Sequence, residues 1–119
     1  MLADDAPIYQ QLADRIADDI VSGAYPEGAA VPSTNDYSAF YQISPITAAK
    51  GVNVLVEQGV LYKKRGIGMF VADGAQDILR ERRRARFREQ FIAPLVREAH
   101  LLGISPQEAV DMITSENQP

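Results

Sequence analysis

Apolar residues recur at every fourth position near the start of the chain, and polar residues fill the positions between them. The apolar positions are Ile8, Leu12, Ile16 and Ile20. This spacing predicts a helix with one apolar face, with Pro7 at its start and Gly23 at its end.

The next stretch, AYPEGAAVPS, contains Gly28 and two prolines, which exclude a regular helix. Within it, Ala30 to Pro32 is predicted to form a short edge strand. Ser33 is a natural N-cap for a second helix over STNDYSAFYQ, because Asp36 occupies the N3 position, where an acid complements the exposed amides. This helix should have two to three turns.

The pattern SPITAAKGVNVLVEQG predicts a third helix. Ser44 is its expected N-cap and Pro45 its first residue, and Gly59 ends it. The segment LYKKRGIGMFVA follows, with apolar residues on both sides of a cationic turn that contains two glycines, as in a β-hairpin. The predicted fold class is therefore mainly α with a small β-hairpin, in the element order of a winged helix-turn-helix.

After this hairpin, the sequence predicts a long helix over about 77–102 and a short helix over about 106–115. Pro94 should bend the long helix near Phe91, because proline lacks a backbone N–H. Gly103 should end it, and Ser105 should cap the short helix, with Glu108 at N3. We expect a first domain over 1–73 and a helical segment over 74–119. The segment should not form a domain of its own, because about 45 residues is near the lower limit for independent folding.

The long helix carries an apolar stripe with no partner in its own segment. We predict that it pairs with a second copy of the chain, although a helix folded back on the first domain is the alternative. The predicted dimer interface comprises Phe87, Phe91, Ile92, Leu95, Val96, Ala99, Leu102 and Ile113.

Charge is unevenly distributed over the 119 residues, although the net value is only −4. Residues 1–62 sum to −6, residues 63–88 to +6 and residues 89–119 to −4. The cationic region includes the hairpin, which predicts contact with a polyanion there in spite of the acidic total. Six arginines at the base of the long helix either extend this surface or form an ordinary solvated face.

Composition excludes several classes of protein. The chain has no cysteine, so it forms neither a disulfide nor a thiolate metal site. His100 is its single histidine, so we predict no metal site and no cofactor. No nucleophile and base can be assembled, and GIG lacks the spacing of a phosphate-binding loop, so we do not expect an enzyme. The acidic start MLADDAP and the lack of a long apolar run predict a cytoplasmic protein.

Residues 7–72 resemble the GntR family of bacterial transcription regulators. The resemblance rests on the segments PIYQQLADRIADDIVSGAYPEGAAVPS, SPITAAKGVNVLVEQG and RGIGMFVA, which occur in the family's order. The segment FIAPLVREAHLLGISPQEAVDMI is similar to the YtrA subfamily, whose two C-terminal helices serve homodimerisation. The resemblance implies a winged helix-turn-helix in which the helix from Pro45 is the recognition helix and the hairpin over 61–71 is the wing.

Residues at the start of a recognition helix lie nearest the base edges of the major groove, while a wing meets phosphates or the minor groove. We therefore expect DNA contacts from Ser33, Thr34, Asn35, Ser44, Ile46, Thr47, Lys50, Lys63, Lys64, Arg65, Gly66 and Gly68. Family members generally carry arginine where this chain has Asn35 and Ala49, so we predict an altered operator or weaker binding.

These features together predict a sequence-specific transcription regulator that represses by binding a palindromic operator as a homodimer. The resemblance adds control of transporter genes and a small-molecule effector as expectations. The alternative is a winged-helix protein-interaction module that has lost specific DNA binding.

Overall fold

The computed structural model of the protein describes residues 6–118. Its elements are α1 (Ile8–Val21), β1 (Ala30–Val31), α2 (Thr34–Tyr41), α3 (Pro45–Glu57), β2 (Leu61–Lys64), β3 (Gly68–Val71), α4 (Ala75–Phe87), a π-helical turn (Arg88–Ile92), α5 (Ala93–Leu102) and α6 (Pro106–Glu116). The predicted fold class, mainly α with a small β-hairpin, is confirmed, and β1 adds a third strand to the hairpin. The chain divides into two compact units, one ending at Glu81 and one beginning at Arg82.

The core of the first unit lies where α1, α3 and the sheet meet. Its buried side chains are Leu12, Ala13, Ile16, Ala17, Ile20, Val31, Tyr37, Ala48, Val52, Leu55, Val60, Leu61, Val71, Ala75 and Leu79. Ile8 is 55% exposed although it continues the apolar stripe of α1. Ile8 is the first residue of α1, and the buried part of the helix begins only at Leu12.

Helices α1 and α3 cross closely at Gly51. A Cβ atom at this position would lie 2.8 Å from the backbone oxygen of Tyr9 and 3.0 Å from Leu12 Cδ2, which is closer than side-chain atoms approach. Glycine at 51 therefore permits the contact that fixes α3 against α1. The spacing of apolar residues gave no sign of this role.

The sheet is antiparallel with the order β1-β3-β2, so β1 lies at an edge, as predicted. Leu61 pairs with Val71 and Lys64 pairs with Gly68, which leaves residues 65–67 as the hairpin loop. Leu61 and Val71 are both buried, so the base of the hairpin belongs to the core and its tip projects away from it.

The start of α4 belongs to the first unit and is held in place there by hydrogen bonds. The Glu27 carboxylate accepts from the backbone N–H groups of Gly74 (2.8 Å) and Gln76 (3.3 Å), which are free donors at a helix start. The Gln76 side-chain amide donates to the backbone oxygen of Ile20 at 3.1 Å. These bonds join residues up to 56 positions apart in the sequence.

In the second unit, the helix changes its geometry before Pro94. Residues 88–92 form a π-helical turn, in which the backbone N–H of Ala93 donates to the oxygen of Arg88. In a regular α-helix the ring of Pro94 would clash with the carbonyl group four residues earlier, and the wider turn moves that group away. The sequence predicted a bend near Phe91, and the structure has a π turn there.

Helices α5 and α6 are joined at Gly103, which has φ +70° and lets Ile104 N–H donate to Ala99 oxygen at 2.9 Å. Ser105 caps α6 by accepting from the N–H of Glu108 at 3.1 Å, as predicted. Within the described part of these two helices, no side chain is buried. The second unit therefore has no core of its own in a single chain.

Candidate nucleic-acid interface

A tight turn delivers the start of α3 to the protein surface. Gln42 takes up φ +55° and ψ +47°, so the chain reverses at the end of α2, and Ser38 Oγ donates to the Ile43 oxygen at 2.6 Å. Ser44 then caps α3 by accepting from the Thr47 N–H at 3.1 Å, and its hydroxyl donates to Thr47 Oγ1 at 2.8 Å. The predicted cap is confirmed, and the two hydroxyl groups hold each other in place.

The exposed face of α3 combines an apolar side chain and a cation. Ile46 is 82% exposed, so its apolar side chain is available to contact a partner. Lys50 is exposed one turn further along, and its ammonium lies 4.2 Å from the centre of the Tyr9 ring of α1. A shallow depression beside them is lined by Tyr9, Ile46, Ala49, Lys50, Asn53, Val54 and Glu57.

The three predicted contact residues around the start of α2 differ in what their side chains do. Ser33 Oγ accepts from the Asp36 N–H at 3.0 Å, and the Asp36 carboxylate accepts from the Ser33 N–H at 3.2 Å, which completes a capping box. Thr34 is half-buried, and Asn35 is exposed. Ser33 is therefore engaged in the cap, and Asn35 offers the more accessible side chain.

The hairpin loop contains Arg65, Gly66 and Ile67 and is closed by the Ile67 N–H, which donates to the Lys64 oxygen at 2.9 Å. Gly66 (φ +77°) and Gly68 (φ +150°) supply the backbone conformations that other residues resist. Lys63 and Lys64 were predicted to lie on the turn, which is wrong: both belong to strand β2, and only Arg65 is in the loop. The glycines shorten the loop to three residues and extend the strands.

The alternation of side chains along β2 separates the two lysines, because successive residues point to opposite faces. Lys64 lies on the same face as Tyr62 and Phe70, with its ammonium 4.6 Å from the Phe70 ring centre and 5.8 Å from that of Tyr62. The two rings stack with their centres 5.9 Å apart. Lys64 is thus supported by aromatic rings, a site feature that the sequence analysis missed but that strand alternation would indicate.

Ile67 was also absent from the predicted contacts. It lies at the tip of the hairpin between the two glycines and is 74% exposed. The hairpin therefore presents Arg65 and an apolar side chain together at its tip.

The second unit exposes a set of large apolar side chains. Among the predicted interface residues, Phe87, Phe91, Leu95, Val96, Leu102 and Ile113 are exposed, and Ile92 and Ala99 are half-buried. The Phe87 and Phe91 rings lie 5.8 Å apart, centre to centre. Leu101, Val110 and Met112 are exposed as well, although the prediction omitted them.

Residues 6–118 contain no cluster of histidine, cysteine or acidic residues that could hold a metal ion. Among them there is also no helix long and apolar enough to span a membrane.

A bundle of three helices, with a tight turn before an exposed helix and a glycine-bearing hairpin after it, defines the winged helix-turn-helix class of DNA-binding domains. Comparison with known proteins identifies the group within this class. The model of the bacterial regulatory proteins of the gntR family matches residues 8–71, more than half of the chain. The chain belongs to the GntR family.

Known relatives agree with this assignment. The HTH-type transcriptional repressor YtrA of Bacillus subtilis (strain 168) is 24% identical over 107 residues, which are 90% of this chain and 82% of YtrA. The crystal structure of a GntR-family transcriptional regulator from Bacteroides thetaiotaomicron is 37% identical, has a TM-score of 0.79 and covers 92% of this chain and 95% of that one. The predicted similarity to YtrA is confirmed.

A structure with DNA is also similar. The DNA-binding domain of AraR in complex with operator ORX1 is 32% identical with a TM-score of 0.56, covering 60% of this chain and 87% of that one. Other curated relatives match over 64 or 65 residues, and the chain spans about a quarter of their length. The relatives are transcription regulators with a DNA-binding fold, which points to a role in transcription regulation and away from an enzyme.

Proposed function

We propose that the protein is a sequence-specific repressor that binds a palindromic operator as a homodimer. The observation that carries this proposal is the exposed start of α3, with Ile46 82% exposed and Lys50 at the surface, on a GntR-family fold that also presents a cationic hairpin. An α-helix fits the major groove of B-DNA, and its first residues reach the base edges.

In this arrangement each element has a distinct task. The N-cap Ser44 and residues Ile46, Thr47 and Lys50 of α3 read base edges. The N-cap Ser33 and residues Thr34 and Asn35 of α2 contact the backbone or an adjacent base. Lys63, Lys64, Arg65, Gly66 and Gly68 of the hairpin contact phosphates or the minor groove. Support comes from the exposure of Lys50, Asn35 and Arg65 and from the AraR domain, whose structure contains operator DNA.

A homodimer would cover the apolar face of the second unit. Helices α5 and α6 bury no side chain in the single chain, while Phe91 is 60% and Val96 58% exposed. Covering such surface is favourable by about 25 cal/mol per Å². Two copies related by a two-fold axis would present two recognition helices, which matches a palindromic site.

The resemblance to YtrA further leads us to propose that the regulated genes encode transporters and that a small molecule controls binding. Locating the selected operator in the genome tests this part, because the genes beside it are expected to encode transporters.

Sedimentation equilibrium tests the dimer with a matched pair of variants. Phe91→Asp places a charge in the proposed interface, whereas Phe40→Asp places the same charge at a side chain of α2 that is 78% exposed. We expect the Phe91 variant to have the monomer mass and the Phe40 variant to remain dimeric. A Phe91 variant that is folded by circular dichroism and still dimeric would refute this interface.

A further inference from the structure

The base of the long helical region contains a concentrated positive charge that the contacts described above do not use. We call residues 80–88, with the sequence RERRRARFR, the arginine segment. It contains six arginines and one glutamate, so its formal charge is +5 within a chain whose net charge is −4. Helix α4 includes residues 80–87, and Arg88 begins the π turn.

Most of these arginines are directed to solvent. Arg80, Arg82, Arg84, Arg86 and Arg88 are exposed, and Arg83 is half-buried. Arg80 lies 3.9 Å from the Asp77 carboxylate, but these side chains are 54% and 91% exposed, so water and salt screen the pair. Arg83 makes an interaction of its own within the protein.

The spacing of the arginines places like charges next to one another on the helix, which weakens it slightly. Arg80 and Arg84, and likewise Arg82 and Arg86, are four residues apart in α4, where like charges repel. Solvated helix faces commonly alternate glutamate with lysine, which avoids this repulsion. A polyanion that lies along the segment would remove it.

The kind of cation indicates the kind of anion. All six cations of the segment are arginines, whereas two of the three cations in the hairpin region 63–65 are lysines. The guanidinium group presents donors in a planar fork that matches the oxygens of a phosphate, and it is more weakly hydrated than an ammonium. Phosphodiester oxygens are therefore a better match than a diffuse acidic surface.

The position of the segment in the chain selects the source of the phosphates. Arg80 follows Val71, the last residue of the hairpin, by only nine residues. When the winged helix is on DNA, this short tether keeps the segment at a high effective concentration near the same duplex. B-DNA offers one phosphate charge per about 1.7 Å of its axis, so acceptors are present along any path the segment takes.

We propose that the arginine segment is a second DNA-backbone contact, which adds affinity without reading sequence. This proposal rests on the proposed DNA-binding function. Each neutralised phosphate releases counterions, so the segment should increase the dependence of binding on salt.

The test measures binding of the full chain to an unselected duplex of about four helical turns by fluorescence anisotropy, over a series of salt concentrations. In the triple variant Arg82→Gln, Arg84→Gln and Arg86→Gln, three charges are lost and helix propensity is kept. We expect the slope of log K against log salt to fall by roughly 2 to 3 per bound chain, since each phosphate contact contributes about 0.9.

A pair of single variants controls for net charge. Arg84→Gln and Arg97→Gln each remove one charge from an exposed side chain, but Arg97 lies in α5 outside the segment. We expect the Arg84 variant to lower the slope by about 0.9 and the Arg97 variant to leave it unchanged within error. Equal effects of the two variants would mean that total charge alone is responsible and would overturn the proposal.

The wing variant Lys64→Ala with Arg65→Ala separates this proposal from the proposed function. If the wild-type chain does not bind the duplex, the DNA-binding function itself fails. If the wild-type chain binds and the wing variant lowers the slope while the triple variant does not, only the second contact is refuted. If the triple variant loses binding to an RNA oligonucleotide but still binds the DNA duplex as the wild type does, the second DNA contact is refuted as well.

Discussion

The ammonium of Lys50 lies 4.2 Å from the centre of the Tyr9 ring, so a predicted base-reading side chain of α3 is supported by a residue of α1. A cation over an aromatic face gains about 0.5 to 1 kcal/mol at an exposed site. The ring restricts the path of the lysine side chain across the outer face of α3. Tyr9 therefore orients Lys50 before any DNA is bound.

Replacing Tyr9 by leucine tests this orientation. The variant loses the aromatic face. We expect its affinity for an operator selected from a randomised pool of duplexes to fall about two- to fivefold, the equivalent of 0.5 to 1 kcal/mol. Tyr9→Phe keeps the ring and should bind as the wild type does. Competition binding with the operator measures both. A leucine variant with wild-type affinity would show that the ring does not assist Lys50.

Ile46 is predicted to contact the methyl group of a thymine, because an apolar side chain that is 82% exposed at the start of a recognition helix matches that feature of the major groove. Replacing the relevant thymine of the operator by uracil removes this methyl group alone. We expect a loss of about 0.8 kcal/mol, or roughly fourfold in affinity. The Ile46→Ala variant should bind the thymine and uracil duplexes more nearly equally.

The matched control for this experiment is Ile67→Ala, which shortens an exposed isoleucine on the hairpin and not on α3. It should keep the preference for thymine. If every uracil substitution is silent with the wild-type chain, Ile46 does not read a thymine methyl group.

Gly51→Ala is expected to destabilise the protein. The new Cβ atom would lie 2.8 Å from the Tyr9 oxygen, and forcing α1 and α3 apart costs about 1 to 3 kcal/mol, more than alanine gains in helix propensity. Urea unfolding followed by circular dichroism measures the change. Asn53→Ala, at an exposed position of the same helix, should be neutral or slightly stabilising. A Gly51→Ala variant as stable as the wild type would contradict this close crossing.

Tyr37 makes stability depend on alkaline pH. Its side chain is 5% exposed, and burial raises the pKa of the Tyr37 hydroxyl well above its ordinary value near 10. Above pH 10 the unfolded chain loses this proton while the folded chain retains it, so the free energy of unfolding falls as pH rises. Below pH 10 both states are protonated and the residue contributes no pH dependence.

The Tyr37→Phe variant should therefore lose part of the alkaline destabilisation. At neutral pH it should be as stable as the wild type or up to about 1 kcal/mol more stable, since the buried hydroxyl lies near the Tyr25 side chain but has no hydrogen bond of ordinary geometry among the described residues. Tyr62→Phe, which removes a tyrosine hydroxyl from an exposed ring, is the control for the loss of a hydroxyl group alone. Identical unfolding curves for Tyr37→Phe and wild type above pH 10 would contradict this assignment.

Local features of the fold could be predicted because their causes are close together in the sequence. The caps at Ser33, Ser44 and Ser105 each depend on a residue three positions later. The glycine at 59 ends α3 through φ +77°, as its position indicated. Amphipathic spacing likewise located the core face of α1, apart from Ile8 at its exposed end.

Features that depend on distant residues could not be predicted in this way. The contact of Gly51 with Tyr9 and the bonds from Glu27 to the start of α4 join residues 42 to 49 positions apart. The placement of Lys63 and Lys64 depended on the register of the hairpin, which is determined by the backbone angles of Gly66 and Gly68. Residue type alone showed that these lysines are cationic but not which face each occupies.

Selection of bound duplexes from a randomised pool, at physiological salt, tests the central claim most directly. Salt at this concentration weakens nonspecific attraction to phosphates, so enrichment of a sequence reports base reading. We predict a palindrome whose half-sites are separated by one or more helical turns, and Phe91→Asp should abolish its enrichment. If folded, dimeric wild-type protein enriches no common sequence, the protein is not the sequence-specific regulator proposed.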